Sequence, residues 1–434
     1  MLVAANPTSP ESPAGHGVTA RIAALREERL SRDRLPYAAR LAALNALSDA
    51  LMTREPEVMR VLPAAGVAFA AAFLRNTNLD QLVRREVPHE GAFDAFVPVG
   101  PRKSVRVLPQ GVACHWIAGN VPLLGLFSWA LSALAGNLNV IRTSSRAGDF
   151  MTPVLQLLAR LSADGRALAE DTLVLSFPRE DEASHRALSA AANVRIAWGG
   201  QEAVESVMAL PARWDCETLV LGPRMSLAIV DPALASDRIL ARLASDVAYF
   251  DQQACSSPQW IFVKGDRAGE TFHGWVERFA RAFAAQAHGL GRHPLDFGET
   301  YRIGLDRTRV LLDGGVLRRD EQTAWTVAVV EAPDTRLACM NRVVQVIPFG
   351  DVSEVDGFIP PNVQTAVMLL EADDAERFSE RAARRGVCRF PRPGEGNNFD
   401  NPWDGIPLMS RLTRWAIRTN AAETRAATEK PTDE

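Results

Sequence analysis

A long uncharged segment constrains the fold of this chain more than any other feature of its sequence. Residues 107–141 form a run of 35 positions without Asp, Glu, Lys or Arg, which is long enough for a transmembrane helix. Asn120, Pro122, Gly136 and Asn137 interrupt the run. A βαβ unit buried on both faces of a parallel sheet shows the same nearly continuous apolar pattern. We therefore predict no membrane span, but a strand over 111–118, a turn over 119–122, a helix over 122–135 and a strand over 138–142.

The rest of the chain alternates helical and extended patterns. Apolar residues recur every three to four positions from 18 to 72, which predicts N-terminal helices. Two series of strands and helices follow, with a helix predicted over 149–163, and this alternation indicates parallel sheets of the α/β class. One series ends and the other begins near residues 223–225. We predict a flexible N-terminus (1–18), a first α/β domain (19–224), a second α/β domain (225–400) and a C-terminal segment with a polar tail (401–434).

Charge and cysteine content exclude several classes of partner. The net charge of −4 and the isoelectric point near 6.1 give no basic surface for nucleic acid. The five cysteines are widely spaced and form no CxxC motif, which argues against disulfides and structural zinc and fits a reducing compartment. The first residues lack the charged and apolar pattern of a signal peptide. We therefore predict a cytoplasmic protein.

Common motifs for nucleotide binding, metal binding and hydrolysis are missing. The chain contains no GxxxxGK[ST], GxGxxG, HExxH or GxSxG sequence. The seven histidines are scattered, without a pair at ligand spacing, so we predict no metal site. Cys114 and His115 are neighbours on a predicted strand and point to opposite faces, so they cannot form a catalytic pair.

One polar segment carries a cysteine between a predicted helix and a predicted strand. Residues 251–259 read DQQACSSPQ, with Cys255 among small and amide side chains. A thiol on such a loop can act as a nucleophile if its pKa is lowered. Isolated cysteines are more often inert small hydrophobic residues, so this segment alone leaves both interpretations open.

Several segments together resemble a known family. In order, they read HWIAGNVP (115–122), NVIRTSS (139–145), IAWGGQEAV (196–204), LVLGPRMS (219–226), DQQACSSPQ (251–259) and NPWDGIP (401–407). This series resembles the long-chain acyl-CoA reductase family, typified by the acyl reductase of bacterial luminescence, a branch of the aldehyde dehydrogenase superfamily. The resemblance covers residues 20–415. It implies an aldehyde-dehydrogenase-like fold with an NAD(P)-binding domain over 19–224, a catalytic domain over 225–400 and an oligomerisation arm.

The resemblance assigns two catalytic residues. Cys255 matches the nucleophilic cysteine of the superfamily, and Asn120 matches its conserved-loop asparagine. The Asn120 amide and the backbone N–H of Cys255 would then form an oxyanion hole, in which one donor is worth roughly 3–4 kcal/mol. Without the family, Asn120 is an ordinary turn residue before a proline.

The resemblance also assigns cofactor-binding residues. Arg142, Ser144 and Ser145 fall where the superfamily binds the adenine ribose, and a guanidinium with hydroxyls there suits a 2′-phosphate. The Gly199–Gly200 turn opens a helix and lets a pyrophosphate approach its N-terminus. Gly119 is assigned to the cofactor as well. We therefore predict NADPH rather than NADH.

Two departures from the superfamily bear on the direction of the reaction. The glutamate that activates water has Val220 in its place, so hydrolysis of a thioester intermediate is disfavoured. An acyl reductase needs no such base, because hydride rather than water discharges acyl-Cys255, giving a thiohemiacetal that collapses to the aldehyde. The ribose-binding glutamate aligns loosely with Asn341, to which we assign no role.

The predicted function is NADPH-dependent reduction of a long-chain fatty acyl thioester, acyl-CoA or an acyl carrier, to the aldehyde. Two alternatives stay open: a CoA-acylating dehydrogenase of a shorter aldehyde, and a catalytically degenerate partner or scaffold subunit. The resemblance also implies a homo-oligomer and raises the question of an acyl-activating synthetase as partner.

Overall fold

The uncharged run folds as the predicted βαβ unit. In the computed structural model, which describes residues 13–53, 64–117, 119, 121, 123–143 and 148–419, the unit consists of strand β3 (Val112–Trp116), helix α5 (Leu123–Ala135) and strand β4 (Leu138–Thr143). All of its strand residues are buried. A Cβ atom on Gly125 would lie 2.1 Å from the Ile117 side chain, so this glycine lets α5 pack closely on the sheet. Among the described residues, no helix is both long and apolar enough to cross a membrane.

The βαβ unit belongs to the first parallel sheet, whose strand order is β5-β4-β3-β6-β7. Its other strands are β5 (Thr172–Ser176), β6 (Val194–Trp198) and β7 (Glu217–Leu221). The chain leaves β3 in one direction through β4 and β5, and returns to the other side through β6 and β7. The point between β3 and β6 is therefore a topological switch point, where ligands bind at the carboxyl ends of the strands.

The second sheet has the order β10-β11-β12-β9-β8-β13 and is parallel except at the edge strand β10. Its strands are β8 (Met225–Val230), β9 (Pro258–Lys264), β10 (Val316–Arg319), β11 (Thr326–Val329), β12 (Val343–Phe349) and β13 (Val363–Leu369). Ser226 pairs with both Pro258 and Thr365, so β8, β9 and β13 begin at one amino edge.

A third, antiparallel sheet joins distant parts of the chain. Strand β2 (Lys103–Pro109) pairs with β1 (Val97–Pro98) and with β14 (Thr413–Thr419). The register of β14 on β2 runs from Thr413 opposite Pro109 to Thr419 opposite Lys103. The two predicted series of strands and helices did not include this sheet.

Helices cover the sheets and form the N-terminal region. Up to the end of the first sheet they are α1 (Pro13–Leu30), α2 (Tyr37–Met52), α3 (Ala64–Leu74), α4 (Asn76–Arg84), α5, α6 (Met151–Leu161), α7 (Ala163–Glu170), α8 (Glu182–Ala191) and α9 (Gln201–Met208). The later ones are α10 (Asp237–Ala248), α11 (Glu270–Gly289), α12 (Phe297–Leu312), α13 (Val352–Asp356), α14 (Ala372–Arg384) and α15 (Leu408–Leu412). The helix predicted over 149–163 ends earlier, because Ser162 is extended and its hydroxyl accepts a bond from Gly165 N, which starts α7.

The apolar core is divided between the two parallel sheets. One cluster joins α2 to α7 and one face of the first sheet to residues 399–412, and another covers the opposite face. Two further clusters fill the two faces of the second sheet. The last strand of the first sheet ends at Leu221 and the first strand of the second begins at Met225, while the domain boundary at 224 stays a prediction. The remaining domain limits stay predictions, although α1 begins at Pro13 within the N-terminus predicted to be flexible.

Candidate functional site

The loop between α10 and β9, residues 249–257, is here called the cysteine loop. It begins with a 3-10 turn over Tyr249–Gln252 in which Phe250, Asp251 and Gln252 have left-handed φ angles of 54°, 52° and 61°. Residues other than glycine rarely adopt this conformation, so three in succession need firm support from their surroundings. The cysteine loop is therefore held in a conformation that its own sequence does not favour.

A buried ion pair fixes the first half of the cysteine loop. An Asp251 carboxylate oxygen lies 2.8 Å from the guanidinium of Arg342, whose side chain is 1% exposed. Arg342 also donates to the backbone oxygens of Ala287 and Gly291, at the end of α11 and just beyond it. The Gln252 amide donates to Pro258 O at 2.9 Å, across the cysteine loop. Asp251 and Gln252 thus order the cysteine loop.

Hydroxyl and amide groups fix the second half. Ser256 Oγ donates to Asn397 Oδ1 at 2.7 Å, and Asn397 Nδ2 donates to Asp246 O at 2.8 Å. The Asp246 carboxylate, 1% exposed, accepts bonds from Gly394 N and Gly396 N. Burial outweighs these two bonds and raises the pKa of Asp246 to about 7.

Cys255 lies where the cysteine loop meets the first sheet. It is partly exposed, and its side chain packs on the apolar cluster that contains Ile117, Val121 and Ile406. Ser226 Oγ donates to Cys255 O at 2.6 Å, which ties the residue to the amino edge of the second sheet. Cys255 therefore lies between the apolar cluster of the first sheet and the amino edge of the second.

The thiol of Cys255 has a shifted pKa. Burial and, to a smaller extent, the Asp404 carboxylate raise the pKa to about 12 against the opposing effects of Gln364 and Arg389. The Gln364 amide lies beside the sulfur outside good hydrogen-bond geometry, since neither of its polar atoms has a partner among the described residues. The resting sulfur is therefore a neutral thiol, in contrast to the lowered pKa that the sequence interpretation required.

A glycine-lined cleft opens at the topological switch point of the first sheet. It is a cavity of about 810 Å³ lined by residues that follow or end β3, β4 and β6, among them Gly119, Arg142, Gly199 and Gly200. Gly199 has a φ of 154°, and a Cβ atom on Gly222 would lie 2.4 Å from Gly199 O. Only glycine permits this close approach of the β6 and β7 ends at the mouth of α9.

Basic and aromatic side chains line the outer part of the glycine-lined cleft. An Arg142 nitrogen donates to Phe177 O at 3.1 Å, and its guanidinium lies 5.6 Å from the centre of the Phe177 ring. The Arg142 Nε is buried without a partner among the described residues. Trp116 donates to His185 Nδ1 at 3.0 Å, and His185 Nε2 likewise lacks a described partner. Arg142 and His185 thus both line the cleft, with one buried nitrogen each that has no partner among the described residues.

The structure brings some of the predicted residues together and leaves others outside its description. Gly119, Arg142, Gly199 and Gly200 line one cleft, and Cys255 lies in the cysteine loop beside Ile117 and Val121. The predicted residues Asn120, Ser144 and Ser145 lie outside the described residues. His115 is fully buried, with its ring nitrogens 3.1 Å from Ser128 Oγ and Asn139 Oδ1, so it is a structural residue.

The sequence interpretation missed the charged and amide groups around the thiol. The pKa of Cys255 is affected by Gln364, Arg389 and Asp404, which lie 109 or more positions away in the chain. Asp404 lies within the NPWDGIP segment, which the sequence interpretation used only as a mark of the family. Asn341, which was given no role, accepts a bond from the Gln253 amide at 3.2 Å and so lies against the cysteine loop.

Solved structures with this fold are aldehyde dehydrogenases and related oxidoreductases. An oxidoreductase from Marinobacter aquaeolei superposes with a TM-score of 0.68 at 15% identity, and the superposition covers 89% of this chain and 87% of the oxidoreductase chain. Glyceraldehyde-3-phosphate dehydrogenase GapN from Methanocaldococcus jannaschii, complexed with NADP, gives 0.66 at 14% identity, covering 93% and 94%. The predicted aldehyde-dehydrogenase-like α/β fold is confirmed.

Curated relatives are acyl reductases. The long-chain acyl-protein thioester reductase of Aliivibrio fischeri is 27% identical over 315 residues, which are 72% of this chain and 64% of that protein. The long-chain acyl-protein thioester reductase 2 of Photobacterium leiognathi is 25% identical over 340 residues, 78% of this chain and 70% of that protein. The chain thus spans less than two thirds of the first of these relatives.

A family comparison covers nearly all of the described fold. The sequence profile described as acyl-CoA reductase (LuxC) matches residues 37–415, which include the glycine-lined cleft and the cysteine loop. The predicted resemblance and the predicted oxidoreductase class are thereby confirmed. This chain belongs to the acyl-CoA reductase (LuxC) family.

Proposed function

We propose that this protein reduces a long-chain fatty acyl thioester to the aldehyde with NADPH, through an acyl-Cys255 intermediate. The observation that carries the proposal is the position of Cys255, which is partly exposed on the cysteine loop and packs on the apolar cluster that includes Ile117, a residue lining the glycine-lined cleft. The relatives from Aliivibrio fischeri and Photobacterium leiognathi, whose names specify long-chain acyl-protein thioesters, support the substrate class.

The glycine-lined cleft fits a dinucleotide. The Gly199–Gly200 turn opens α9, whose first N–H groups can receive a pyrophosphate, and a side chain at Gly200 would occupy open space. Arg142, whose guanidinium lines the cleft, supports a 2′-phosphate and hence NADPH. When bound, the nicotinamide supplies a hydride. We assign Gly119, Arg142, Ser144, Ser145, Gly199 and Gly200 to cofactor binding.

The residues of the chain itself perform the acyl transfer. The Cys255 sulfur attacks the carbonyl carbon of the thioester, and the Cys255 N–H with the Asn120 amide holds the developing oxyanion. The departing thiol takes up a proton, which leaves acyl-Cys255. After reduction, the thiohemiacetal collapses to the aldehyde and frees the sulfur. Val220, half-buried on β7, has no group that could activate water, so hydrolysis does not compete.

The acyl donor is a further part of the proposal. Acyl-CoA, an acyl carrier and an acyl-protein share the thioester that Cys255 attacks, and the names of the relatives favour an acyl-protein. The two alternatives, a CoA-acylating dehydrogenase of a shorter aldehyde and a scaffold subunit, both lack a specific supporting contact here. A homo-oligomer, a synthetase partner and a cytoplasmic location stay predictions.

Mass spectrometry of the protein with an acyl thioester and no NADPH tests the proposal. Tetradecanoyl-CoA and tetradecanoyl carrier protein should each be tried, and the peptide that contains Cys255 should gain one acyl group from at least one of them. Cys255→Ala should abolish this gain and lower NADPH-dependent turnover by at least about 10⁴-fold, because no other group provides the covalent step.

The matched control is Cys216→Ala, since Cys216 is a partly exposed cysteine just before β7, at the amino edge of the first sheet. This variant should keep both the acyl gain and the turnover. Absence of acylation from both donors, or acylation that persists in Cys255→Ala, would refute the proposal. Faster acylation by hexanoyl-CoA than by tetradecanoyl-CoA would favour the dehydrogenase of a shorter aldehyde.

A further inference from the structure

A buried carboxylate, that of Asp404, acts electrostatically on the Cys255 thiol. Asp404 occupies the turn in which Trp403 and Ile406 exchange backbone hydrogen bonds. It is 6% exposed and has a left-handed φ of 52°. Neither of its carboxylate oxygens has a hydrogen-bond partner among the residues that the structure describes. Burying an ionisable group in this way is costly and needs an explanation.

The turn that carries Asp404 packs against the same apolar cluster as Cys255. Trp403 and Ile406, the residues on either side of Asp404 and Gly405, belong to that cluster, and Cys255 packs on it. The two side chains are close enough that the carboxylate acts electrostatically on the thiol. A Cβ atom on Gly405 would lie 2.9 Å from Cys388 Sγ, and Cys388 N donates to Gln364 O at the start of β13, so the turn lies at the amino edge of the second sheet, to which Ser226 also ties Cys255.

None of the described charged groups around Asp404 forms a hydrogen bond to its carboxylate oxygens. Arg224 and Arg389 attract the carboxylate, and Cys255 and Cys388 are the thiols beside it. Arg389 donates instead to the backbone oxygens of residues 396 and 398 and to Thr365, while it stacks 4.5 Å above the ring of Trp403. Burial raises the pKa of Asp404 to about 6, so the group is ionised at neutral pH.

Acyl transfer to Cys255 creates a need for such a group. The resting sulfur is a neutral thiol, so its proton must leave as the carbon–sulfur bond forms. Val220 stands where the superfamily has its glutamate base and cannot accept a proton. His115 on β3 has both ring nitrogens engaged and lies within the core, and His185, which accepts a bond from Trp116, lines the glycine-lined cleft instead.

We propose that the Asp404 carboxylate accepts the Cys255 proton as the sulfur attacks the acyl thioester, and then donates it to the departing thiolate. This inference rests on the proposed acylation of Cys255. Proton transfer requires a hydrogen bond between the two groups or one bridging water. The two carboxylate oxygens of Asp404, which have no hydrogen-bond partner among the described residues, can make either contact.

The step balances. The Cys255 S–H bond breaks and its proton moves to Asp404, the sulfur forms a bond to the carbonyl carbon, and the thioester C–S bond breaks. The departing sulfur leaves as a thiolate and takes the proton from Asp404, which is again a carboxylate. Nothing is oxidised or reduced in this half of the reaction. In the second half, a proton from solvent, relayed by Asp404, restores the Cys255 thiol after the aldehyde leaves.

The test compares two reactions of the same sulfur in the full-length protein and in Asp404→Asn. The rate of acylation by the thioester that acylates the wild-type protein should fall about 10²-fold in the variant, because the proton acceptor is lost. The rate of alkylation by iodoacetamide, followed on the peptide that contains Cys255, should instead rise on the order of fivefold. Removing the nearby negative charge favours the thiolate, which is the form that iodoacetamide attacks.

A pH profile gives the second readout. Wild-type acylation should decline below about pH 6 as Asp404 becomes protonated, and this decline should be absent in Asp404→Asn. The matched control is Asp400→Asn, because Asp400 lies four residues earlier and its carboxylate pairs with Arg85 at the surface. This control should keep the wild-type rates of both reactions and the wild-type pH profile.

The outcomes separate the inference from the proposed function. Opposite changes in the two rates support Asp404 as the proton acceptor. Two rates that rise together, fall together or stay unchanged while wild-type protein is acylated would overturn this inference alone. Wild-type protein that no thioester acylates would overturn the proposed function and this inference with it.

Discussion

The glycine-lined cleft is formed by backbone and small residues at the carboxyl ends of the first sheet, whereas the cysteine loop is held by buried charges at the amino edge of the second. In the glycine-lined cleft, the turn at Gly199 and Gly200 follows directly from a strand and opens a helix. In the cysteine loop, each half depends on a side chain from a distant part of the chain, Arg342 for one and Asn397 for the other.

This difference indicates what each region requires. A cleft made by a strand–turn–helix connection forms wherever the sheet forms, and its changes should affect ligand binding more than stability. A loop with three successive left-handed residues and buried polar groups depends on every partner. Changes there should therefore lower stability and reactivity together.

The largest effect should come from breaking the buried ion pair of the cysteine loop. Arg342→Met leaves the Asp251 carboxylate buried without its cation and removes the bonds to the backbone oxygens near the end of α11. The free energy of unfolding should fall by about 3–5 kcal/mol, as measured by urea denaturation. Acylation of Cys255 should be lost in parallel.

Arg336→Met is the control for this variant, because Arg336 pairs with Asp334 at the exposed surface. It should change stability far less. Equal losses in the two variants would mean that the buried pair does not distinguish the cysteine loop from an ordinary surface.

A smaller, pH-dependent effect should come from Asp246. Its pKa rises to about 7 through burial, with Glu395 adding to the rise and Arg389 and two backbone N–H groups opposing it. Because the folded state holds this proton more tightly than the unfolded state, the stabilisation is complete below about pH 4. It is lost as the pH rises to about 7.

In Asp246→Asn, the difference in unfolding free energy between pH 5 and pH 8 should shrink by on the order of 2 kcal/mol. Urea denaturation at both pH values measures this. The exposed Asp49→Asn variant should keep the wild-type difference. If Asp246→Asn keeps the wild-type difference in unfolding free energy between pH 5 and pH 8, the pH dependence belongs to another group.

The smallest effects should arise in the glycine-lined cleft and leave stability unchanged. Gly200→Ala adds a methyl group that contacts nothing in the structure, so stability should not change. The methyl group fills space at the turn that would receive the pyrophosphate, so the Kd for NADPH and for NADH should rise roughly tenfold. Arg142→Met should weaken NADPH to a similar extent but leave NADH unaffected, because only the 2′-phosphate needs the guanidinium.

Fluorescence titration with each nucleotide measures these constants, and thermal unfolding shows that neither variant is damaged. A loss of stability in Gly200→Ala would contradict the contrast between the two regions. Equal weakening of both nucleotides by Arg142→Met would remove the support for NADPH.

Local patterns were sufficient for much of the fold. The predicted βαβ unit matches β3, α5 and β4 to within two residues at each boundary. These elements are buried on both faces, so their sequence pattern and their structure have the same cause. The sheet that joins β2 and β14 was not predicted, because its partners lie about 300 residues apart.

The sequence by itself determined the α/β class, the cysteine as a candidate nucleophile and the glycine turn, since each is written within a few consecutive residues. Only the tertiary structure decided that the resting Cys255 is a neutral thiol. It also decided that the nearby Asp404 carboxylate has no hydrogen-bond partner among the described residues. The pKa of a group depends on the burial and charge of everything around it, and Gln364, Arg389 and Asp404 reach the sulfur from separate segments. No pattern along the chain encodes that arrangement.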